Sequence, residues 1–198
     1  MLQQRVAGTG RTAAEKRAHL MREIVETLLF VGLVFFLVQF GIGSFPAGDT
    51  MQPQLHPDEY IIVNKWAYLF GGPSRGDVVV YDLPTNLSTR LIARVVAVPG
   101  DTIAVTPTSI VVNDVTLNEP YVQAPPGFSP NSRVVPQEKL GPNEYFLLND
   151  SRLVSPDSRT FGTVKRGNIV GKAELVFWPL KSVRGIPTYS NVFSHVSR

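Results

Sequence analysis

A run of uncharged, mostly apolar residues near the N-terminus constrains this chain of 198 residues more than any other feature. From Thr27 to Phe45 no side chain is charged, and Gln39 is the only strongly polar one. A helix of about 20 apolar residues spans the hydrocarbon core of a bilayer, which is ~30 Å thick. We therefore expect a membrane-spanning helix over residues 24–45.

Two other structures could contain such a run. A buried core helix is one, but this run is apolar on all sides rather than along one stripe. A cleavable signal peptide is the other, and Gly41-Ile42-Gly43 loosely resembles a cleavage site. The apolar stretch of a signal peptide usually has about 7–15 residues, fewer than this run has. Both alternatives stay open, and the length favours an uncleaved anchor.

The charges on either side of the run predict its orientation. Asp49 is the first charge after it, whereas the basic residues before it are Arg5, Arg11, Lys16, Arg17 and Arg22. An excess of Lys and Arg marks the cytoplasmic side of a membrane helix. We expect a single-pass protein of the cell membrane, with a cytoplasmic basic tail over residues 1–23 and an extracytoplasmic domain over residues 46–198.

Composition excludes several classes of function. The chain has no cysteine and three histidines, which excludes disulfides, thiolate sites and a zinc site built from several histidines. We expect no metal and no cofactor. The net charge is +3, of which residues 1–26 carry +2, from five basic and three acidic side chains. Because no basic stripe remains, we expect no nucleic-acid partner.

Beyond Phe45 apolar and polar residues alternate, which is the pattern of β-strands. Val98–Asp101 has the composition of a tight turn, Asn113-Asp114 suits a two-residue hairpin loop, and Pro120–Asn143 is expected to be irregular. The predicted fold is mainly β: one N-terminal transmembrane helix and an antiparallel β domain, barrel-like or a sandwich. The predicted strands are Tyr60–Lys65, Asp77–Asp82, Leu91–Val98, Thr102–Thr106, Ser109–Val112, Val115–Asn118, Glu144–Leu148 and Ile169–Phe177.

An aromatic segment follows the first predicted strand, with Trp66, Tyr68 and Phe70 at alternate positions. These side chains could be ordinary core residues. Aromatic side chains are also enriched at membrane interfaces, and a short connection to the anchor would keep the domain near the bilayer. We therefore predict that these three residues face the lipid bilayer.

Several segments after the anchor together resemble the sequence boxes of type I signal peptidases, and they occur in that family's order. The first resembles the nucleophile box Ser-x-Ser-Met-x-Pro-Thr-Leu, with Met51 and Pro53 matching, and the last is similar to Gly-Asp-Asn-Arg-x-x-Ser-x-Asp-Ser-Arg-x-x-Gly. The segments are Gly48–Leu55, Glu59–Lys65, Arg75–Tyr81, Leu91–Asp101 and Asn149–Gly162. Each alone is a weak signal, but their combination after a single anchor identifies the chain as a member of this family.

The resemblance implies a signal peptidase fold, in which a Ser nucleophile is activated by a neutral Lys. Here the nucleophile position is Thr50, the general-base position is Ala93, and the position of an oxyanion-donating Ser is Gly48. The site-supporting positions match the family better than the reacting ones do. They are Ser155, Asp157 and Arg159, together with Arg94 directly after the base position.

The two replacements remove the reacting groups. Strand alternation places Leu91, Ala93 and Val95 on one face and the side chains of Arg90 and Arg94 on the other. A methyl group accepts no proton, and a guanidinium stays protonated in proteins. The resemblance and these replacements together predict a homologue with a degenerate catalytic dyad.

Three functions are compatible with this sequence. The first is an inactive accessory that binds signal peptides or membrane-inserted exported proteins, or modulates an active signal peptidase. The second is an active signal peptidase I with Thr50 as a non-standard nucleophile, aided by His56 or Asp49. The third is an anchored β domain with an unrelated binding role.

Overall fold

The computed structural model describes residues 13–122 and 134–197. The chain divides into two compact units between Phe40 and Gly41. Helix α1 (Ala13–Gly41) accounts for the described part of the first unit and is long and apolar enough to cross a membrane. The predicted extension of this helix to residue 45 is wrong. Ile42–Pro46 form a strand instead, and their backbone groups pair with the next strand.

The second unit is built from short antiparallel strands, as the alternation of apolar residues predicts. In chain order they are β1 (Ile42–Pro46), β2 (Tyr60–Asn64), β3 (Val78–Leu83), β4 (Asn86–Ala97), β5 (Thr102–Val105), β6 (Ile110–Val112), β7 (Val115–Thr116), β8 (Val135–Lys139), β9 (Glu144–Leu148), β10 (Val164–Lys165), β11 (Ile169–Trp178) and β12 (Arg184–Gly185). A one-turn helix, α2 (Ser158–Phe161), lies between β9 and β10.

The larger sheet has the strand order β1-β2-β11-β3-β4-β9-β10, with β12 beside β11. Its central strands are buried on both faces. Val78, Val80 and Ile92 belong to one apolar cluster, whereas Val79 and Ala93 belong to another. The unit therefore has apolar layers on both sides of β3 and β4, which fixes their register and the side to which each residue points.

The smaller sheet has the order β7-β6-β5-β8. Asn113 and Asp114 connect β6 to β7 with φ angles of 47° and 63°, so the predicted two-residue hairpin is confirmed. The predicted turn over Val98–Asp101 is also present, closed by a hydrogen bond from the Asp101 N–H to the Val98 carbonyl. The prediction that Pro120–Asn143 is irregular is wrong for β8, and residues 123–133 of that segment lie outside the described residues.

Candidate functional site

The loop between β1 and β2 carries Thr50, which lies against the middle of β4. Its hydroxyl donates a hydrogen bond of 3.1 Å to the main-chain carbonyl of Ile92. The main-chain carbonyl of Thr50 accepts a hydrogen bond of 2.9 Å from the Ser151 N–H. Three segments that are distant in sequence therefore meet here: the Thr50 loop, the strand with Ala93 and the segment that follows β9.

Two buried groups hold the Thr50 loop in place. Met51 is fully buried in the cluster that also contains Ile92. At the far end of the loop, the Glu59 carboxylate accepts hydrogen bonds of 2.6 and 2.8 Å from Arg184. These hydrogen bonds lower the pKa of Glu59, although burial of the carboxylate opposes the shift. Arg184 also donates to the main-chain carbonyl of Gln54, so one guanidinium contacts both the middle and the far end of the loop.

Gly48 and Pro53 lie on either side of Thr50 in this loop. Gly48 has a φ angle of 67°, a left-handed conformation that glycine adopts without a steric penalty. It has no side chain and offers no hydroxyl to an oxyanion. Pro53 is exposed. The loop therefore turns at Gly48, and the Thr50 hydroxyl points toward β4.

Ala93 is fully buried and lies opposite Val79 of β3. Its methyl group belongs to a cluster that we call the Ala93 cluster, with partly buried Leu91 packed against it. The buried members are Tyr68, Val79, Tyr81, Ala93, Val95, Tyr145, Leu147, Val164 and Ile169. An environment like this would hold an amine in its neutral form, because burial disfavours the charged form. Position 93 offers only a methyl group.

Arg94 lies in the interior of the unit and not at its surface. Both the Arg94 and Asp150 side chains have 0% exposure, and the guanidinium donates to the carboxylate over 2.9 and 2.6 Å. It also donates to the carbonyls of Gly76 and Pro187. Burial raises the pKa of Asp150, and the guanidinium opposes that shift. The sequence places Asp150 inside a family-like box but gives no sign that it pairs with Arg94.

The last box forms a compact turn after β9. Asp157 caps α2 by accepting from the Arg159 N–H, and its carboxylate also forms an ion pair of 2.7 Å with the Arg159 guanidinium. The Asn149 N–H donates to the same carboxylate over 3.3 Å. The Ser155 hydroxyl is exposed and lies 3.1 Å from that of Thr160. The structure therefore brings Asp157 and Arg159 together as a brace of this turn and pairs Ser155 with a neighbour in the same turn.

The aromatic segment after β2 is only partly exposed. Trp66 is 40% exposed and Phe70 is fully exposed. The prediction that Tyr68 faces the bilayer is wrong, because its ring is buried and its hydroxyl donates to Asp77 over 3.0 Å. Burial and the Asp77 charge raise the pKa of Tyr68. Leu69, which the sequence prediction missed, is 63% exposed, so the exposed surface consists of Trp66, Leu69 and Phe70.

The Ala93 cluster contains a polar group that the sequence did not predict as part of the site, the hydroxyl of Tyr81. The Tyr81 hydroxyl is buried and has no hydrogen-bond partner among the described residues. Burial, together with the negative charge of Asp157, raises the pKa of this phenol. The sequence predicts that Tyr81 lies in a strand, but it does not indicate that the hydroxyl lacks a hydrogen-bond partner.

Comparisons with known proteins cover Thr50, Ala93 and the turn after β9. A family model described as "Signal peptidase, peptidase S26" matches residues 20–178. A signal peptidase I of Leptolyngbya laminosa is 33% identical over 171 residues, which cover 79% of this chain and 81% of the relative. A signal peptidase IB of Staphylococcus aureus (strain COL) is 32% identical over 187 residues, which cover 82% and 94%. A crystal structure of a signal peptidase I from Enterococcus faecalis V583 is 28% identical, covers 50% of this chain and 95% of that one, and has a TM-score of 0.42.

Proposed function

This chain belongs to the peptidase S26 family of signal peptidases, and we propose that it binds exported or membrane-inserted preproteins without cutting them. Membership supports a signal peptidase I-type function, for which the substrates are preproteins with signal peptides. The apolar helix, which is long enough to cross a membrane, supports an anchored protein. The finer proposal, an inactive accessory, depends above all on one observation: a buried methyl group occupies the base position.

The chemistry of peptide cleavage explains why this observation matters. An unactivated hydroxyl is a poor nucleophile until a neighbouring base accepts its proton. The Thr50 hydroxyl donates to the main-chain carbonyl of Ile92, and an amide oxygen is not a base at neutral pH. Gly48 removes a further contribution, since loss of one oxyanion donor typically lowers the rate by about 10²–10³. Together these features support binding without cleavage.

The alternative is an active signal peptidase I in which Thr50 is the nucleophile. The observation that favours it is that the relatives at 31–33% identity are named as signal peptidases. The hydroxyl also lies at the position where the resemblance places a nucleophile. His56 and Asp49 are both exposed and lie in the same loop, so either is available as a replacement base in this alternative.

Incubation with a preprotein separates these two functions. The full-length protein, purified in detergent, is mixed with a preprotein whose signal peptide can be released, and the products are analysed by mass spectrometry. We expect no cleavage at the leader junction. Cleavage that disappears in Thr50→Val, a substitution of similar size without a hydroxyl, would establish the enzyme. Cleavage that persists in Thr50→Val would come from a contaminating protease.

A double substitution tests whether the binding groove is intact. Thr50→Ser replaces the secondary hydroxyl with the family's primary one, and Ala93→Lys places an amine at the base position. The amine would lie in the Ala93 cluster, where burial lowers its pKa and so favours the neutral base. We expect preprotein cleavage by the double variant, whereas Ala93→Lys with Thr50→Val should remain inactive and serves as the matched control.

Crosslinking tests the choice of partner. A signal peptide carrying a photoreactive group should label the wild-type protein, and an excess of unlabelled signal peptide should reduce the labelling. An unrelated binding role for the domain predicts no labelling that the peptide can displace. Labelling that requires an added active signal peptidase would instead indicate that this chain modulates that enzyme.

We further propose that the surface formed by Trp66, Leu69 and Phe70 contacts the lipid bilayer. Its position in the unit supports this, because the Trp66 ring lies against Gly41, the first residue of the globular unit. The buried Tyr68 anchors the loop that carries these three residues: its hydroxyl donates to Asp77, and the Arg166 guanidinium lies 5.4 Å from the centroid of its ring. Three apolar side chains are therefore presented on a rigid support near the point where the chain leaves α1.

The two tryptophans of the chain allow a matched test of this surface. Trp178 is 51% exposed and pairs with Tyr60 at one end of β2, whereas Trp66 lies two residues beyond Asn64 at the other end. The strand between Tyr60 and Asn64 is roughly 13 Å long at ~3.3 Å per residue. In nanodiscs with spin-labelled lipid, Trp178→Phe, which retains only Trp66, should show stronger fluorescence quenching than Trp66→Phe. Equal quenching would contradict the proposed surface.

Orientation is tested by labelling, because the chain has no native cysteine. Thr116→Cys places a thiol at an exposed position of the globular unit. If that unit is extracytoplasmic, a membrane-impermeant maleimide should label it in intact cells and should label Arg5→Cys only after lysis. The reverse pattern would show that the globular unit is cytoplasmic.

A further inference from the structure

The unpaired hydroxyl of Tyr81 has a defined place beside the base position. In the β3–β4 pairing, Tyr81 lies opposite Leu91 and Val79 lies opposite Ala93. Tyr81 and Ala93 therefore point to the same face of the sheet as diagonal neighbours, whose Cα atoms are about 7–8 Å apart in such pairs. Both side chains belong to the Ala93 cluster.

The turn after β9 borders Tyr81 from the other side. The Phe161 ring of α2 has its centroid 6.2 Å from that of Tyr81. Asp157, which caps α2, is close enough for its charge to disfavour the ionised phenol. The Tyr81 ring therefore lies between β4 and the turn that carries two of the site-supporting positions.

In this environment the hydroxyl is a hydrogen-bond donor. Burial keeps the proton on the phenol, so the group does not act as a base. A buried donor without a partner destabilises the folded state, and an acceptor that reaches it gains a hydrogen bond. The Tyr81 hydroxyl can therefore bind a ligand that brings an oxygen acceptor into the otherwise apolar Ala93 cluster.

We propose that Tyr81 is a peptide-binding residue whose hydroxyl donates to a main-chain carbonyl of the bound signal peptide beside Ala93. The inference rests on the proposed function. Signal peptides have an apolar central stretch, so main-chain carbonyls are the acceptors that this stretch offers. Ala93 is the smallest side chain of the Ala93 cluster, so a peptide backbone that enters there meets the least bulk at this position.

Two partly buried side chains mark where the peptide reaches the hydroxyl. Leu91 lies directly opposite Tyr81 on β4, and Phe161 lies beside its ring, and both are only partly buried. The cluster is closed on this side by side chains that already contact solvent. A peptide that packs on them is brought to the Tyr81 hydroxyl by a local displacement.

The substitution Tyr81→Phe removes the hydroxyl and leaves the ring. The probe is a fluorescein-labelled signal peptide, and its binding to the full-length protein in detergent is followed by fluorescence anisotropy. We expect the Kd to rise about tenfold, which corresponds to about 1.4 kcal/mol. Tyr145→Phe is the matched control, because Tyr145 is a second buried tyrosine of the Ala93 cluster, and its Kd should equal that of the wild type.

Thermal unfolding without peptide provides an independent measurement. Because the hydroxyl has no partner among the described residues, Tyr81→Phe should have a Tm no lower than the wild type. A clear decrease in Tm would show an internal partner and would overturn the inference. Wild-type binding with an unchanged Kd in Tyr81→Phe would also overturn it and leave the proposed function standing. A wild type that binds no signal peptide would refute both.

Discussion

Arg94 and Asp150 form a buried ion pair, and substituting one partner should affect stability differently from substituting the other. Removing either partner leaves the other charged group in the interior, where water does not reach it. A carboxylate can escape by taking up a proton, whereas a guanidinium cannot lose one. Arg94→Met and Asp150→Asn should therefore have different costs and different dependences on pH, although they break the same ion pair.

The expected magnitudes follow from this difference. Asp150→Asn leaves an unpaired buried cation, and breaking such a pair costs about 3–5 kcal/mol in the free energy of unfolding. For a domain of this size about 1 kcal/mol shifts the Tm by roughly 2–4 °C, so a decrease of roughly 6–20 °C is expected. In Arg94→Met the buried Asp150 can take up a proton instead of staying charged. Protonating a carboxyl group of ordinary pKa costs about 4 kcal/mol at pH 7 and about 1.5 kcal/mol at pH 5, so the penalty for the unpaired charge cannot exceed these values.

The sign of the pH effect is determined by Asp150. Burial already raises its pKa, and loss of the Arg94 guanidinium removes the interaction that opposes this shift. A group whose pKa is higher in the folded state stabilises the fold below its unfolded pKa, and that stabilisation is lost as pH rises through the folded pKa. Arg94→Met should therefore approach the wild type in stability between pH 7 and pH 5, whereas the deficit of Asp150→Asn should stay constant.

Thermal unfolding of the full-length protein in detergent, followed by circular dichroism from pH 5 to pH 8, measures both curves. The wild type at each pH is the reference, so that other titrating groups cancel. Arg94→Met combined with Asp150→Leu removes both charges and should be more stable than Asp150→Asn alone. Parallel pH curves for the two single variants would refute the argument, because they would show that Asp150 does not take up a proton when Arg94 is absent.

Two further predictions concern the supports of the site, and a third concerns the hairpin between β6 and β7. The pKa of Glu59 is lowered mainly by hydrogen bonds from Arg184. This contact therefore stabilises the fold above the unfolded pKa of Glu59, and the stabilisation is lost as pH falls through the folded pKa. Acid unfolding of Glu59→Gln should depend less on pH than that of the wild type. Asp157→Ala removes the cap of α2, which alone is worth about 0.5–2 kcal/mol, and leaves the nearly buried Arg159 without its partner; in urea titrations the free energy of unfolding should fall by at least this amount. Asp114→Gly relieves a φ angle of 63° and should raise the Tm by a few degrees, whereas a lower Tm would contradict this account of the hairpin.

Features set by neighbouring residues were predictable from the sequence. Strand β9 begins and ends where its run of apolar residues predicts, and the hairpin loop at Asn113-Asp114 follows from residues that tolerate positive φ. Features set by distant contacts were not predictable. Strand β8 contains Pro136 and carries mostly exposed residues, so it has little strand pattern, and its pairing with β5 defines it.

The candidate site shows the same division. The family-like boxes identified Thr50 and Ala93, and the structure brings their segments together through the hydrogen bond to Ile92. Tyr68 was misplaced because alternation of aromatic residues does not indicate which of them a loop buries. Asp77, nine residues away, is the partner that draws Tyr68 inward. The unpaired state of the Tyr81 hydroxyl depends on every neighbour at once, and no local pattern contains that information.

Catalysis and stability make opposite demands on position 93. A base there must be an amine held neutral by burial, and the desolvation that keeps it neutral also destabilises the fold. A methyl group in the same cluster has no such cost. A methyl group at this position supplies no base and leaves the apolar layer intact, which is consistent with the proposed binding without cleavage. Under that proposal Tyr81 is the polar group of the Ala93 cluster that a bound peptide would use, and tight binding would not have to be balanced against release of cut products.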